Sequence, residues 1–174
     1  MELYGERGFE STTVAEIAER AGLTERTFFR HFVDKREVLF WGAAALQELL
    51  VSNVDRSPGP LPPIDAIGAA LCAAADDIFE ERRGGARQRQ AIIDANAELQ
   101  ERELIKLASL ASALADALRR RGVGDSASAL TAESGITVFK IAFQNWIQEA
   151  TERTLAECIR ASMDELRHIT GRST

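Results

Sequence analysis

Residues 12–35, TTVAEIAERAGLTERTFFRHFVDK, constrain this chain more than any other stretch. Thr13, followed three residues later by Glu16, is a capping-box pair, in which a hydroxyl and a carboxylate each satisfy a backbone N–H at a helix start. Val14, Ile17, Ala18 and Ala21 then recur at helical spacing and make one apolar face. Ala21-Gly22-Leu23 stops that helix, because glycine accepts the left-handed backbone of a sharp helix end. Thr24 caps a second helix, whose buried side takes Phe28 and Phe32 and whose open side shows Glu25, Arg26, Phe29 and Arg30. Asp34 caps a third helix, with Glu37 as its reciprocal partner and Lys35 in its first turn. Helix, glycine turn and helix, with arginines on the open face of the second, is a helix-turn-helix arrangement. Its second helix lays its N-terminal half in the major groove, where base edges carry a distinct donor and acceptor pattern.

The run GFESTTVAEIAERAGLTERTFFRHFVDKREVL, residues 8–39, resembles the DNA-binding signature of the TetR family of bacterial repressors. Gly-Phe, Thr-Thr-Val, Ile-Ala, Ala-Gly-Leu, a threonine before two aromatics, His-Phe and then Lys stand in that family's order and spacing. The resemblance implies an all-α fold, with an N-terminal three-helix helix-turn-helix DNA-binding domain and a C-terminal helical bundle for ligand binding and dimerisation. It also implies a homodimer through the last two helices, a palindromic operator on double-stranded DNA, and release by a small, largely apolar effector. In that family the first helix is long. Residues 1–8 hold only about two turns here, too few to be stable alone, so the first helix is expected to be truncated, with residues upstream of Met1.

Composition fits that reading. A chain of 174 residues, 45% hydrophobic and 28% charged, supports one or two compact domains with a sizeable core. No apolar run approaches the ~18 residues of a membrane span, and no secretory signal pattern is present, so a cytoplasmic, soluble chain is expected. Cys72 and Cys158 are far apart, lack metal-ligand spacing and sit among apolar neighbours, which reads as two buried free thiols. The net charge of −6 opposes nucleic-acid binding as a sum. Placement matters more: residues 24–36 carry Arg26, Arg30, Lys35 and Arg36 against Glu25 and Asp34, a local excess of two cations. That predicts modest non-specific affinity that falls steeply with salt. There is no glycine-rich phosphate loop or metal cluster, and the two histidines lie in separate regions. Neither an enzyme nor a bound cofactor is expected.

Along the chain, a helix is expected from residue 34 to about 52, then a Pro- and Gly-containing boundary over 53–63 that cannot be helical. Helices follow over 64–83, ended by Gly84-Gly85, and over 88–95, 96–121, 125–150 and 154–170, the fourth of these capped by Asp125 and the last opened by a Thr154/Glu157 capping box. That makes about nine helices in two domains, 1–52 and 53–174. Val138 and Ile141 stand opposite Phe139 and Phe143 on one helix. Two apolar sides need two packing partners, either a second subunit or the monomer's own interior.

Arg26 and Arg30 are the leading base or phosphate contacts, since an arginine fork suits guanine edges and phosphates alike. Thr13 and Thr27 bond phosphates, or simply cap and pack. Glu25 accepts from a cytosine amine, or serves as a first-turn acid. Phe29 stands where the resembled family often has a phosphate-binding tyrosine; without a hydroxyl it is left with a thymine methyl or a sugar. His31 matches the family's His or Tyr position and packs beside the backbone, and Lys35 meets a phosphate. For an effector, Phe79, Ile93, Leu107, Phe139, Phe143 and Trp146 line an apolar pocket, with Asn96, Gln144 or Asn145 orienting the ligand; taken singly, each is also an ordinary core residue. The segment RQRQAIIDANAELQERELIKLASLASALADALRRRGV loosely resembles actinobacterial TetR-type regulators, some of which respond to lipophilic or acyl-thioester ligands. The competing functions are a regulator without a small-molecule signal, an activator, or a helical interaction protein that no longer reads DNA.

Overall fold

The computed structural model describes residues 1–79, 81–148 and 152–171. Every regular element among them is helical: nine α-helices and one 3-10 helix. They form two compact units that cut across a linear division at residue 52. One joins Met1–Ala43 to Gly84–Ile105; the other joins Ala44–Arg83 to Lys106–Thr174.

The first unit begins with α1 (Glu2–Arg7), which turns Leu3 and Tyr4 inward. In α2 (Val14–Arg20) the Thr13/Glu16 capping box forms in full. Gly22 then sits at φ +67°. Leu23 N–H reaches back to the Ala18 carbonyl at 2.8 Å and Gly22 N–H to the Glu19 carbonyl at 3.0 Å, the paired bonds of a Schellman stop. In α3 (Glu25–His31) the Thr24 hydroxyl accepts from Thr27 N–H, and Phe28 is buried. A 3-10 helix (Lys35–Phe40) follows, its N–H groups of Arg36 and Glu37 held by the Asp34 carboxylate. Tyr4, Phe9, Leu39 and Phe40 bury together with Ile92, Ile93 and Leu99. The last three come from α6 (Arg83–Asp94) and the start of α7 (Ala97–Arg120). This core is therefore closed by residues from α6 and α7, far along the chain from the helix-turn-helix that it supports.

Several boundaries differ from expectation. The single helix expected over 34–52 is the 3-10 helix, a turn at Trp41-Gly42, and α4 (Ala43–Arg56). The Asp34 carboxylate accepts Glu37 N–H at 3.3 Å, while the Glu37 carboxylate pairs with Arg102 at 2.6 Å. The boundary expected over 53–63 shrinks, since α4 runs to Arg56 and Pro63 opens α5 (Pro63–Ile78); its missing N–H costs nothing at a helix start. Gly84 and Gly85 do not end a helix but lie in the first turn of α6, where N–H groups lack intrahelical partners anyway. Gly124, not Asp125, occupies the cap position of α8 (Asp125–Ile147), and Asp125 pairs with Arg119 at 3.0 Å. The expected continuation of this helix to residue 150 reaches positions outside the described residues.

In the second unit α4, α5, the rest of α7, α8 and α9 (Leu155–Thr170) surround a core of Leu50, Ile67, Leu71, Leu114, Leu118, Trp146 and Ile159. The Thr154/Glu157 capping box forms. Small residues let α5 and α8 approach closely: a Cβ placed on Gly135 would stand 2.4 Å from Ile67 Cγ2. An alanine in a helix interior normally stabilises by about 1 kcal/mol over glycine. Here it would press on a fully buried, branched side chain, an overpacking cost of about 1–3 kcal/mol. Gly135→Ala is expected to destabilise the bundle by about 1 kcal/mol net, read as a lower urea midpoint; a raised midpoint would refute the close packing. On α8, Val138 is buried whereas Ile141 is 48% and Leu130 71% exposed. Phe139 and Phe143 are half-buried. Among the described residues no helix is long and apolar enough to cross a membrane.

Candidate nucleic-acid interface and effector cavity

The helix-turn-helix owes its shape to short-range bonds. The Glu16 carboxylate accepts Thr13 N–H at 2.8 Å. That backbone bond, with the Thr13 hydroxyl and Arg7 assisting, holds its carboxyl below the usual carboxylate range. Asp34 is likewise held low, first by the Arg36 guanidinium and then by the backbone N–H groups that it caps. Tyr4 donates its hydroxyl to the Lys35 carbonyl at 2.6 Å. Burial, helped by the nearby Asp34 charge, pushes that hydroxyl well up, so it remains a neutral donor.

Arg26, Phe29 and Arg30 share the exposed side of α3, at the spacing of one helix face. Phe29 is 54% exposed and Val33, just past the helix, 83%. Arg26 and Arg30 form no ion pair among the described residues; Arg30 Nη2 lies 3.5 Å from His31 Nε2. Glu25 is exposed in the first turn. Thr27 is half-buried, with its hydroxyl 3.1 Å from that of Thr24, while Thr13 is engaged by its capping box. The face thus offers two guanidinium groups beside exposed apolar groups, a surface suited to phosphates, guanine edges and thymine methyls.

Lys35 is placed differently from the phosphate contact expected of it. Its ammonium donates to the carbonyls of Phe9, Glu10 and Thr12 at 2.8, 3.0 and 3.0 Å and lies 4.5 Å from the Phe9 ring centre. An ammonium has three donors, so all are engaged in tying the loop before α2 to the 3-10 helix. Lys35→Met, which keeps the stem and removes the donors, is expected to cost roughly 1–2 kcal/mol. Thermal melting of the variant tests this; an unchanged midpoint would return Lys35 to the phosphate role.

The residues expected to line an effector pocket divide between the units. Phe79, Phe139, Phe143 and Trp146 come together, with ring centres 5.7–6.2 Å apart. Leu107 is half-buried and Gln144 exposed in the same unit. Ile93, by contrast, is fully buried in the core of the first unit, and the Asn96 amide donates to the Ile92 carbonyl at 2.6 Å. Both serve the first unit's own packing.

Beside the aromatic cluster is a cavity of about 270 Å³, lined by Ala75, Asp76, Arg83, Trp146, Glu152 and the start of α9 at Thr154–Ala156. The Arg83 guanidinium lies 5.5 Å from the centre of the Trp146 ring and donates to the Arg153 carbonyl. One wall is aromatic and the rest largely polar, so the apolar lining expected from the sequence is only partly present. Asp76, Arg83 and Glu152 carried no local sequence signal. Thr154 was legible only as a helix cap. The thiols take no part: burial pushes both Cys72 and Cys158 up, keeping them neutral.

Comparison with known proteins agrees with this architecture. The family pattern for bacterial regulatory proteins of the tetR family matches residues 1–40. That for the MftR C-terminal domain matches residues 61–170, more than half of the chain. A mycofactocin biosynthesis transcriptional regulator, MftR, from Mycobacterium tuberculosis is 28% identical over 173 residues, 94% of this chain and 83% of its own. The HTH-type transcriptional regulator TcmR of Streptomyces glaucescens is 37% identical over 73 residues, 42% of this chain and only 32% of its own length. The crystal structure of FadR from Thermus thermophilus, a TetR-family repressor in complex with lauroyl-CoA, shares the fold. Its TM-score is 0.50 at 24% identity, covering 100% of this chain and 93% of that one. With its capped helix-turn-helix and all-helical C-terminal region, the chain belongs to the TetR family of bacterial regulatory proteins, its C-terminal domain being of the MftR type.

Proposed function

We infer that this regulator is a repressor that binds a palindromic operator as a homodimer in the cytoplasm and is released by a small molecule. The observation that carries the reading is the open face of α3, where Arg26 and Arg30 stand in solvent beside an exposed Phe29. Two such helices, about 34–36 Å apart, would enter successive major grooves. The exposed Leu130 and Ile141 of α8 and Ile169 of α9 supply apolar surface for the dimer contact. The effector would lie against Trp146 and the phenylalanines, with a polar group toward Asp76, Arg83 and Glu152. Acyl thioesters are the first compounds to test, given the lauroyl-CoA held by the Thermus neighbour. An effector that favours a different spacing of the recognition helices weakens operator binding, and operator DNA weakens the effector by the same factor.

The test is a mobility-shift titration of the DNA upstream of the protein's own gene at two salt concentrations. Saturable binding that survives competitor DNA and weakens steeply with salt supports the reading. Absence of binding there, and to any site selected from random DNA, would favour a helical interaction protein, in keeping with the net charge of −6.

A further inference from the structure

Residues 35–53, KREVLFWGAAALQELLVSN, contain one glycine and no proline, so local preference favours one continuous helix. The structure breaks it at Trp41-Gly42, although Trp41 itself is helical at φ −54° and ψ −36°. In a joined α-helix the Leu39 carbonyl would accept Ala43 N–H. Among the described residues no backbone bond links those two groups. The Leu39 carbonyl instead accepts Arg89 Nε at 2.7 Å.

Arg89 is firmly held. Its Nη1 donates to Glu103 at 3.2 Å, its guanidinium lies 5.0 Å from the Phe40 ring centre, and its side chain is only 27% exposed. A charge-assisted bond from a shielded guanidinium is roughly twice as strong as a neutral backbone bond. It also caps a carbonyl at the end of the 3-10 helix, where the helix dipole favours a cation. Arg102 on Glu37, at 2.6 Å, secures the same 3-10 helix.

We propose that Arg89 is a positioning residue for operator binding, holding the Leu39 carbonyl so that the 3-10 helix and α4 do not join into one rod. The 3-10 helix packs on α6 and the start of α7 through Leu39, Phe40, Ile92, Ile93 and Leu99. This rests on the DNA-binding reading above.

The test uses the full chain and two readouts, amide hydrogen exchange and operator affinity. Arg89→Met keeps the stem against Phe40 and removes the donors. The amides of residues 43–45, which lack intrahelical partners at the start of α4, are expected to exchange at least tenfold more slowly, with operator affinity falling at least tenfold. Adding Ala43→Pro removes the N–H that joining needs, at a helix position where proline is favoured, and should restore operator binding. A purely stabilising role for Arg89 would gain nothing from that substitution. Gly42→Ala, where an added Cβ meets nothing within 4 Å, favours the joined helix by about fivefold without touching Arg89. It carries the exchange measurement if Arg89→Met fails to fold. Unchanged exchange at 43–45 in these variants, or lost operator binding that Ala43→Pro does not rescue, overturns the proposal. If the wild-type chain bound no DNA at all, the DNA-binding reading would fall, while exchange alone would still decide whether Arg89 holds the break.

Discussion

Trp146→Ala lowers the stability of the second unit by about 3–5 kcal/mol. Trp146 is 2% exposed. Its ring meets Phe79 edge-on at 6.0 Å and Phe143 at 5.7 Å, and it lies under the Arg83 guanidinium. The substitution removes the apolar area, two aromatic contacts and a cation–π contact together. The neighbouring rings come from the end of α5 and from α8 and cannot all close on the gap. Trp41 is the internal control. It is 77% exposed, so Trp41→Ala is expected to stay within about 0.5 kcal/mol of wild type. Urea unfolding followed by circular dichroism compares the two. A loss below about 1 kcal/mol for Trp146→Ala would mean that the aromatic cluster is not a core and that the cavity beside it is loosely built. The variant also enlarges the cavity, so an effector seated against this wall should bind it more weakly than wild type.

Arg30→Ala is expected to cost about 1–3 kcal/mol of operator binding, roughly a five- to 150-fold loss of affinity. Folding stability should not change measurably, because the side chain is exposed and its nearest polar contact is His31 at 3.5 Å. Arg26→Ala is expected to behave similarly, and comparing the two separates their roles. Loss of a phosphate contact weakens all sequences alike and reduces the salt slope by about one; loss of a base contact relaxes specificity at one operator position. In a dimer each substitution removes a contact from both half-sites. If both variants bind operator as tightly as wild type, α3 is not the recognition helix.

The helix-turn-helix was legible because each of its signals is local. The Thr13/Glu16 box spans three positions, and the Gly22 stop is completed by bonds from Gly22 and Leu23 to Glu19 and Ala18. The Thr24 cap, the burial of Phe28 and the exposure of Arg26, Phe29 and Arg30 follow from the same short-range pattern. Lys35 shows where that reasoning stops. Its position beside the recognition helix suggested a phosphate, yet its donors are taken by carbonyls 23–26 residues earlier in the chain. The effector residues divided for a related reason. Apolar periodicity marks a buried face but not which core receives it, so Ile93 went to the first unit and Phe79 to the second.

The amino-acid sequence by itself determined the all-helical fold, the helix-turn-helix and its exposed basic face, because caps, glycine stops and helical periodicity act within a few residues. Only the tertiary structure decided where the helix after Asp34 breaks, that residues 84–105 close the core of the first unit, and that Asp76, Arg83, Trp146 and Glu152 meet around one cavity. Each of these depends on partners from distant parts of the chain. The clearest is the Leu39 carbonyl, which local preference would assign to Ala43 and which Arg89, fifty positions away, takes instead.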